Sequence, residues 1–125
     1  MDLVEFLRAR LAKDEQVAQA CSGGSWAAGP SGAVHLDADG EPALVASAET
    51  EAYAEHIARH DPSRALQEVA ARRQLVDDHE KHAWIIAQGR ATPEQQAAQA
   101  VREQTLRLLA LAYAHHPDYN EEWRA

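Results

Sequence analysis

Histidine is the residue type whose number and spacing point most directly to chemistry. Seven occur in the chain, and four of them fall at helical spacings: His56 and His60 are four apart, His79 and His82 three apart. Side chains three or four apart on a helix are neighbours, and an i,i+4 histidine pair suits a divalent metal. If the two helices carrying these pairs fold back past one another, the pairs converge. His56, His60, His79 and His82 are therefore the candidate metal ligands. The zinc-protease pattern needs glutamate directly after the first histidine, and Ile57 stands there, so that class is not supported. Local roles explain the same residues without a metal. His60 falls at a helix C-terminus, where a cation favours the dipole, and His79 lies beside an apolar stripe.

Other reactive types have simpler explanations. Asp61 and Arg64 read as a helix cap and a local pair, with Arg64 bonded to Asp61 or to Glu68 one turn on. Cys21 is the single cysteine. It follows a helix C-terminus, whose partial negative charge disfavours a thiolate, and a lone cysteine makes no internal disulfide and no Cys-rich zinc site. Ser22-Gly23-Gly24-Ser25 lacks the lysine and the strand-loop-helix frame of a phosphate loop. Asp37, Asp39 and Glu41 alternate through a turn but lack the further ligands of a calcium loop. Arg59, Arg64, Arg72 and Arg73 form a basic concentration interleaved with Glu51, Glu55, Glu68, Asp77 and Asp78, the pattern of a solvated helix face. No complete catalytic or cofactor-binding set results, and no cofactor is expected.

The elements that must carry these residues follow from periodicity and punctuation. Residues 2–20 read as a helix, capped by Asp2 with Glu5 in capping-box spacing. Leu3, Leu7, Leu11 and Ala18 lie along one face, with Val4 and Phe6 beside them. Ser22-Gly23-Gly24 closes it. Residues 33–46 read as a β-hairpin turning on Asp37-Ala38-Asp39-Gly40, with Trp26 in a third short strand or lying on the sheet. Residues 49–60 return to helix, with Ala52, Tyr53, His56, Ile57 and His60 on one side. Asp61-Pro62 ends that helix and starts the next, which runs over 62–88 with Leu66, Val69, Arg73, Val76, Ala83 and Ile86 in line, roughly 40 Å of helix. Thr92-Pro93-Glu94-Gln95 opens a helix over 93–114. Its first half is polar and projects; its second half, Leu106 to Tyr113, is apolar nearly all round and reads as central. The short Gly89–Thr92 connection makes the two long helices antiparallel. Residues 118–123 form one capped turn, with Tyr119 and Trp123 folding back.

Composition narrows the class. The chain has 125 residues, 46% of them hydrophobic, enough for one domain over 1–125 with its own core. Its formal charge of −8 argues against nucleic acid and against an anionic membrane as partner. The acidic start and the shortness of the apolar runs indicate neither signal peptide nor spanning segment, so a cytoplasmic location is expected.

Three segments resemble a known family: the opening Asp2–Leu11, the corner HIARHDPSRALQEVAARR from His56 to Arg73, and the ending TLRLLALAYAHHPDYNEEW. They are similar to a family of short, uncharacterised proteins, a domain of unknown function widespread in high-GC Gram-positive bacteria and their phages. Many members of the family this chain resembles carry cysteines between the long helix and the TLRLLAL segment, whereas Gly89 to Gln104 here contains none. The resemblance implies that any metal site built on those cysteines is absent from this chain.

The sequence thus describes an α+β, mainly α protein of about four helices, with one small β-hairpin between the first and second. The functional expectation is a non-enzymatic protein-interaction module with a protein partner or a homodimer. The alternatives are a metal-binding protein or metal-dependent hydrolase using the paired histidines, and an acidic antagonist of a nucleic-acid-binding protein.

Overall fold

The computed structural model describes residues 1–21, 24–37 and 43–124. Among them are four α-helices, α1 (Leu3–Gln19), α2 (Glu51–Arg59), α3 (Pro62–Ala87) and α4 (Pro93–Ala110), and three strands, β1 (Ser25–Ala28), β2 (Ala33–Asp37) and β3 (Leu44–Ser47). The protein is α+β and mainly α, with its sheet between α1 and α2. Both Ser22-Gly23 and the greater part of the turn expected at Asp37–Gly40 lie outside the described residues. The chain divides into two compact units, Met1–Lys13 with Ala70–Ala125, and Asp14–Val69; α1 and α3 contribute to both.

In the unit formed by Asp14–Val69, the sheet is antiparallel in the order β1-β2-β3. β1 is a third strand added to the expected hairpin. Its connection to β2 is a short loop, Pro30-Ser31-Gly32, with Gly29 N donating to Ala33 O at 2.7 Å. Proline presets the first turn position, and glycine supplies the left-handed residue that restores strand pairing; Gly32 has φ +83°. A Cβ there would lie 2.3 Å from Ala48 O, so the site needs glycine twice over. β2 pairs with β3 through an irregular register between Val34 and His35.

One sheet face packs on α2. Val34, Ala54 and Ala58 are buried together, with Trp26, Ala46, Ala48 and Ile57 against them. Ala54 and Ala58 turn inward, and of the residues expected on one side of α2, Ile57 packs beside them while Tyr53, His56 and His60 are exposed. Alanines let the helix backbone approach the sheet closely, and the volume is supplied from the sheet side by Trp26 and Val34. Thr50 caps α2, its hydroxyl accepting from Tyr53 N.

In the unit formed by Met1–Lys13 and Ala70–Ala125, Phe6 is fully buried with Leu7, Leu11, Val76, Leu106 and Ala110 around the same core. Four rings surround it. Tyr113, His116 and Tyr119 meet Phe6 edge-on, and Trp123 lies with its ring centroid 5.0 Å away. Such edge contacts satisfy the ring quadrupoles and hold the C-terminal turn down on α1. Asp2 and Glu5 form the reciprocal capping box. The Arg8 guanidinium bonds Asp77 (2.7 Å) and Glu80 of α3, and these hydrogen bonds, Asp77 first, raise its already high pKa. α3 and α4 run antiparallel: Arg102 bonds Asp78 at 3.0 Å, and the Gln99 amide donates to His79 O. Past Val76 the inward line of α3 runs through half-buried His79 and His82 to Ile86, and Ala83, expected in that line, is exposed. Gly89, with φ +84°, ends the long helix, and Thr92 with Gln95 completes a capping box for α4.

Candidate functional site

The two histidine pairs belong to different units. On α2, the rings of His56 and His60 stack with centroids 4.4 Å apart and a tilt of 37°. His60 Nδ1 lies 2.7 Å from His56 O, one turn back, which ties that nitrogen to the helix end. On α3, His82 Nδ1 does the same with Asp78 O at 2.9 Å, while His79 Nδ1 is buried without a hydrogen-bond partner. Among the described residues, no group of three or more His, Cys, Asp or Glu side chains gathers where a metal ion could be held. Both of the bonded imidazoles are engaged in closing a turn of their own helix.

Asp61 does more than cap a helix. Its Oδ1 accepts from Arg64 N at 2.8 Å, the expected cap. Its Oδ2 accepts from Trp26 N at 3.1 Å, thirty-five residues away in sequence. Trp26 sits on an edge strand, whose outward N–H groups have no ladder partner. One buried carboxylate therefore starts α3 and closes the edge of β1. Arg64 pairs with Glu68 at 2.9 Å, and Arg59 with Glu55 at 3.1 Å, so these two members of the basic cluster are locally neutralised. Cys21 is exposed, with Sγ 3.6 Å from Val17 O.

A hollow of ≈ 480 Å³ within one unit is lined by His79, Glu103, Arg107, Asn120, Glu122 and Trp123, with the start of α1. Its polar groups chiefly serve each other. Arg107 donates to Glu103 Oε1 and Glu122 O, and Asn120 Oδ1 accepts from Glu122 N. His79 Nδ1, also on this lining, is buried without a hydrogen-bond partner.

The surface that departs most from expectation is on α4. Its C-terminal half is apolar nearly all round, yet only Leu106 and Ala110 are buried. Val101 is 67% exposed and Leu108 56%, with Leu111 also exposed just beyond the helix. Together with Ala97 and Gln104 they form a line at residues 97, 101, 104, 108 and 111. That 4-3-4-3 spacing is a heptad seam. A helix that is apolar on both sides normally has neighbours on both sides, and here Leu106 and Ala110 face the core while the opposite seam faces outward. The signal was present in the sequence as two interleaved stripes, but periodicity alone does not say which one a small protein leaves uncovered.

The fold and these surfaces define a small, mainly helical α+β protein whose histidines and acid–base pairs chiefly brace its own helices. The chain belongs to a family of unknown function, DUF6221, whose model matches residues 1–125. No curated protein and no solved structure matches it. No helix among the described residues is long and apolar enough to cross a membrane.

Proposed function

We infer that this protein is a non-enzymatic interaction module that docks a protein along the exposed seam of α4. The observation that carries this reading is the seam itself: Val101, Leu108 and Leu111 stand in solvent, at the spacing with which one helix packs on another. Exposed apolar residues scattered singly need no explanation, whereas an ordered row marks a contact surface. The negative charge of the chain, −8, supports a protein rather than a nucleic acid as partner. A cytoplasmic setting in high-GC Gram-positive bacteria or their phages belongs to the same proposal.

The test is photo-cross-linking inside the producing cell. A photoreactive amino acid is placed at Leu108, and as a control at Gln67, an exposed position on α3. A discrete protein adduct from position 108, absent from position 67, is expected. Failure of position 108 to give any adduct overturns the reading.

A further inference from the structure

We propose that the occupant of the α4 seam is the same seam of a second copy, lying antiparallel. This rests on the docking reading above and adds the identity of the partner. Two features of α4 select a copy over another class of partner.

The first is charge. α4 carries Glu94 and Glu103 against Arg102 and Arg107, so two acids cancel two bases. The whole excess of eight negative charges lies elsewhere in the chain. Arg102 is tied to Asp78 and Arg107 to Glu103, and none of the five seam residues is charged. A strongly charged partner finds no complementary stripe here, because the seam offers it neither sign. A helix stripe without charge is what fits, and α4 presents one, apolar except at Gln104.

The second is shape. The seam is graded, with Ala97 and Val101 in its first half and Leu108 and Leu111 in its second. Knobs-into-holes packing of antiparallel helices pairs a position from one half with one from the other. Val101 then meets Leu111 of the second copy, and Gln104 meets Leu108. Val101 sits against the larger Leu111 in both outer layers, which two parallel copies would not achieve, and Ala97 lies beyond the overlap. Over the paired residues, 101 to 111, the seam runs about 15 Å. So short a contact falls at or below the low end of stable interfaces, about 1,200 Å², so the dimer is weak and assembles at concentrations of tens of micromolar and above.

The experiment is sedimentation equilibrium of the full chain across a concentration series. The mass is expected to rise from 13.7 kDa toward twice that value. Leu108→Glu and Val101→Glu, each placing a charge in the seam, are expected to weaken association at least about tenfold while leaving the circular-dichroism melting curve in place. Trp84→Glu, exposed on α3 outside the seam, leaves association unchanged. Orientation is read in a Cys21→Ser background by mixing Val101→Cys and Leu111→Cys chains and oxidising them. Antiparallel packing gives the mixed disulfide in excess over either self-linked product. A mass of one chain at every concentration, or a dimer indifferent to both seam substitutions, overturns the proposal, and excess self-linked product overturns its orientation. If the cross-link from position 108 captures only a different protein while the purified chain stays monomeric, docking stands and the second copy falls. If no adduct forms and no dimer forms, both fall.

Discussion

Asp61 shows how much one side chain can hold when both its oxygens find backbone donors. Its cap on α3 was legible from the Asp-Pro pair, because proline sets the first helical residue and leaves a free N–H two positions on. Its bond to Trp26 N was not legible, because nothing local to either residue announces a contact across thirty-five positions. Removing the side chain exposes both losses at once. Loss of a cap costs about 1 kcal/mol, and an orphaned, part-buried donor costs about 1–3 kcal/mol more. Asp61→Ala should therefore destabilise by roughly 2–4 kcal/mol in urea unfolding followed by tryptophan fluorescence. Asp61→Asn keeps one acceptor and turns a donor toward the other N–H, so its loss should be intermediate. A loss under about 1 kcal/mol for Asp61→Ala would mean that the Trp26 bond contributes nothing beyond the cap. The histidines teach the converse: His56 and His60 share a face as their spacing demands, and the rings of His60 and His82 each engage a carbonyl one turn back in their own helix.

At the scale of elements, the helices were written in punctuation that acts locally. The Thr92–Gln95 capping box forms as spaced, and Asp2 with Glu5 does likewise. The faces were harder. α2 buries its small residues Ala54 and Ala58, because Trp26 and Val34 already fill the space between helix and sheet. β1 carried little signal, since Ser25-Trp26-Ala27-Ala28 has two alanines and no alternation of bulk. Its turn did carry one: Pro30 followed by Gly32 is the chemistry of a three-residue hairpin. Two glycines isolate what that turn requires. Gly32 and Gly89 have nearly the same φ, +83° and +84°, but a Cβ at Gly89 meets nothing within 4 Å, while one at Gly32 meets Ala48 O at 2.3 Å. Gly89→Ala should lose only the left-handed penalty, about 1–2 kcal/mol. Gly32→Ala adds a backbone collision to the same penalty and should cost clearly more, with the β2–β3 amides losing hydrogen-exchange protection first. Equal urea midpoints for the two variants would show that the close approach to Ala48 relaxes freely.

For the whole molecule, the division of charge matters more than its total. A chain of −8 repels its own copies, and the repulsion acts between the acidic parts of the two chains, while α4, whose four charges cancel, adds nothing to it. Apolar contact along the seam is indifferent to salt at moderate concentrations, but the repulsion is not. Raising ionic strength from about 0.01 M to about 0.1 M shortens the screening length from about 30 Å to about 10 Å. Association through α4 should therefore tighten several-fold over that range in sedimentation equilibrium, and the slope should survive replacement of Arg107 by Gln, since the attraction does not depend on that charge. A basic partner would behave oppositely: its attraction to the acidic surface is what salt screens, so its binding would weaken. The sign of the salt dependence thus separates two readings that the charge of the sequence alone leaves side by side, a neutral seam that joins like chains and an acidic surface that recruits a basic one. Weakening of self-association with added salt would place the contact on the charged faces and remove α4 from it.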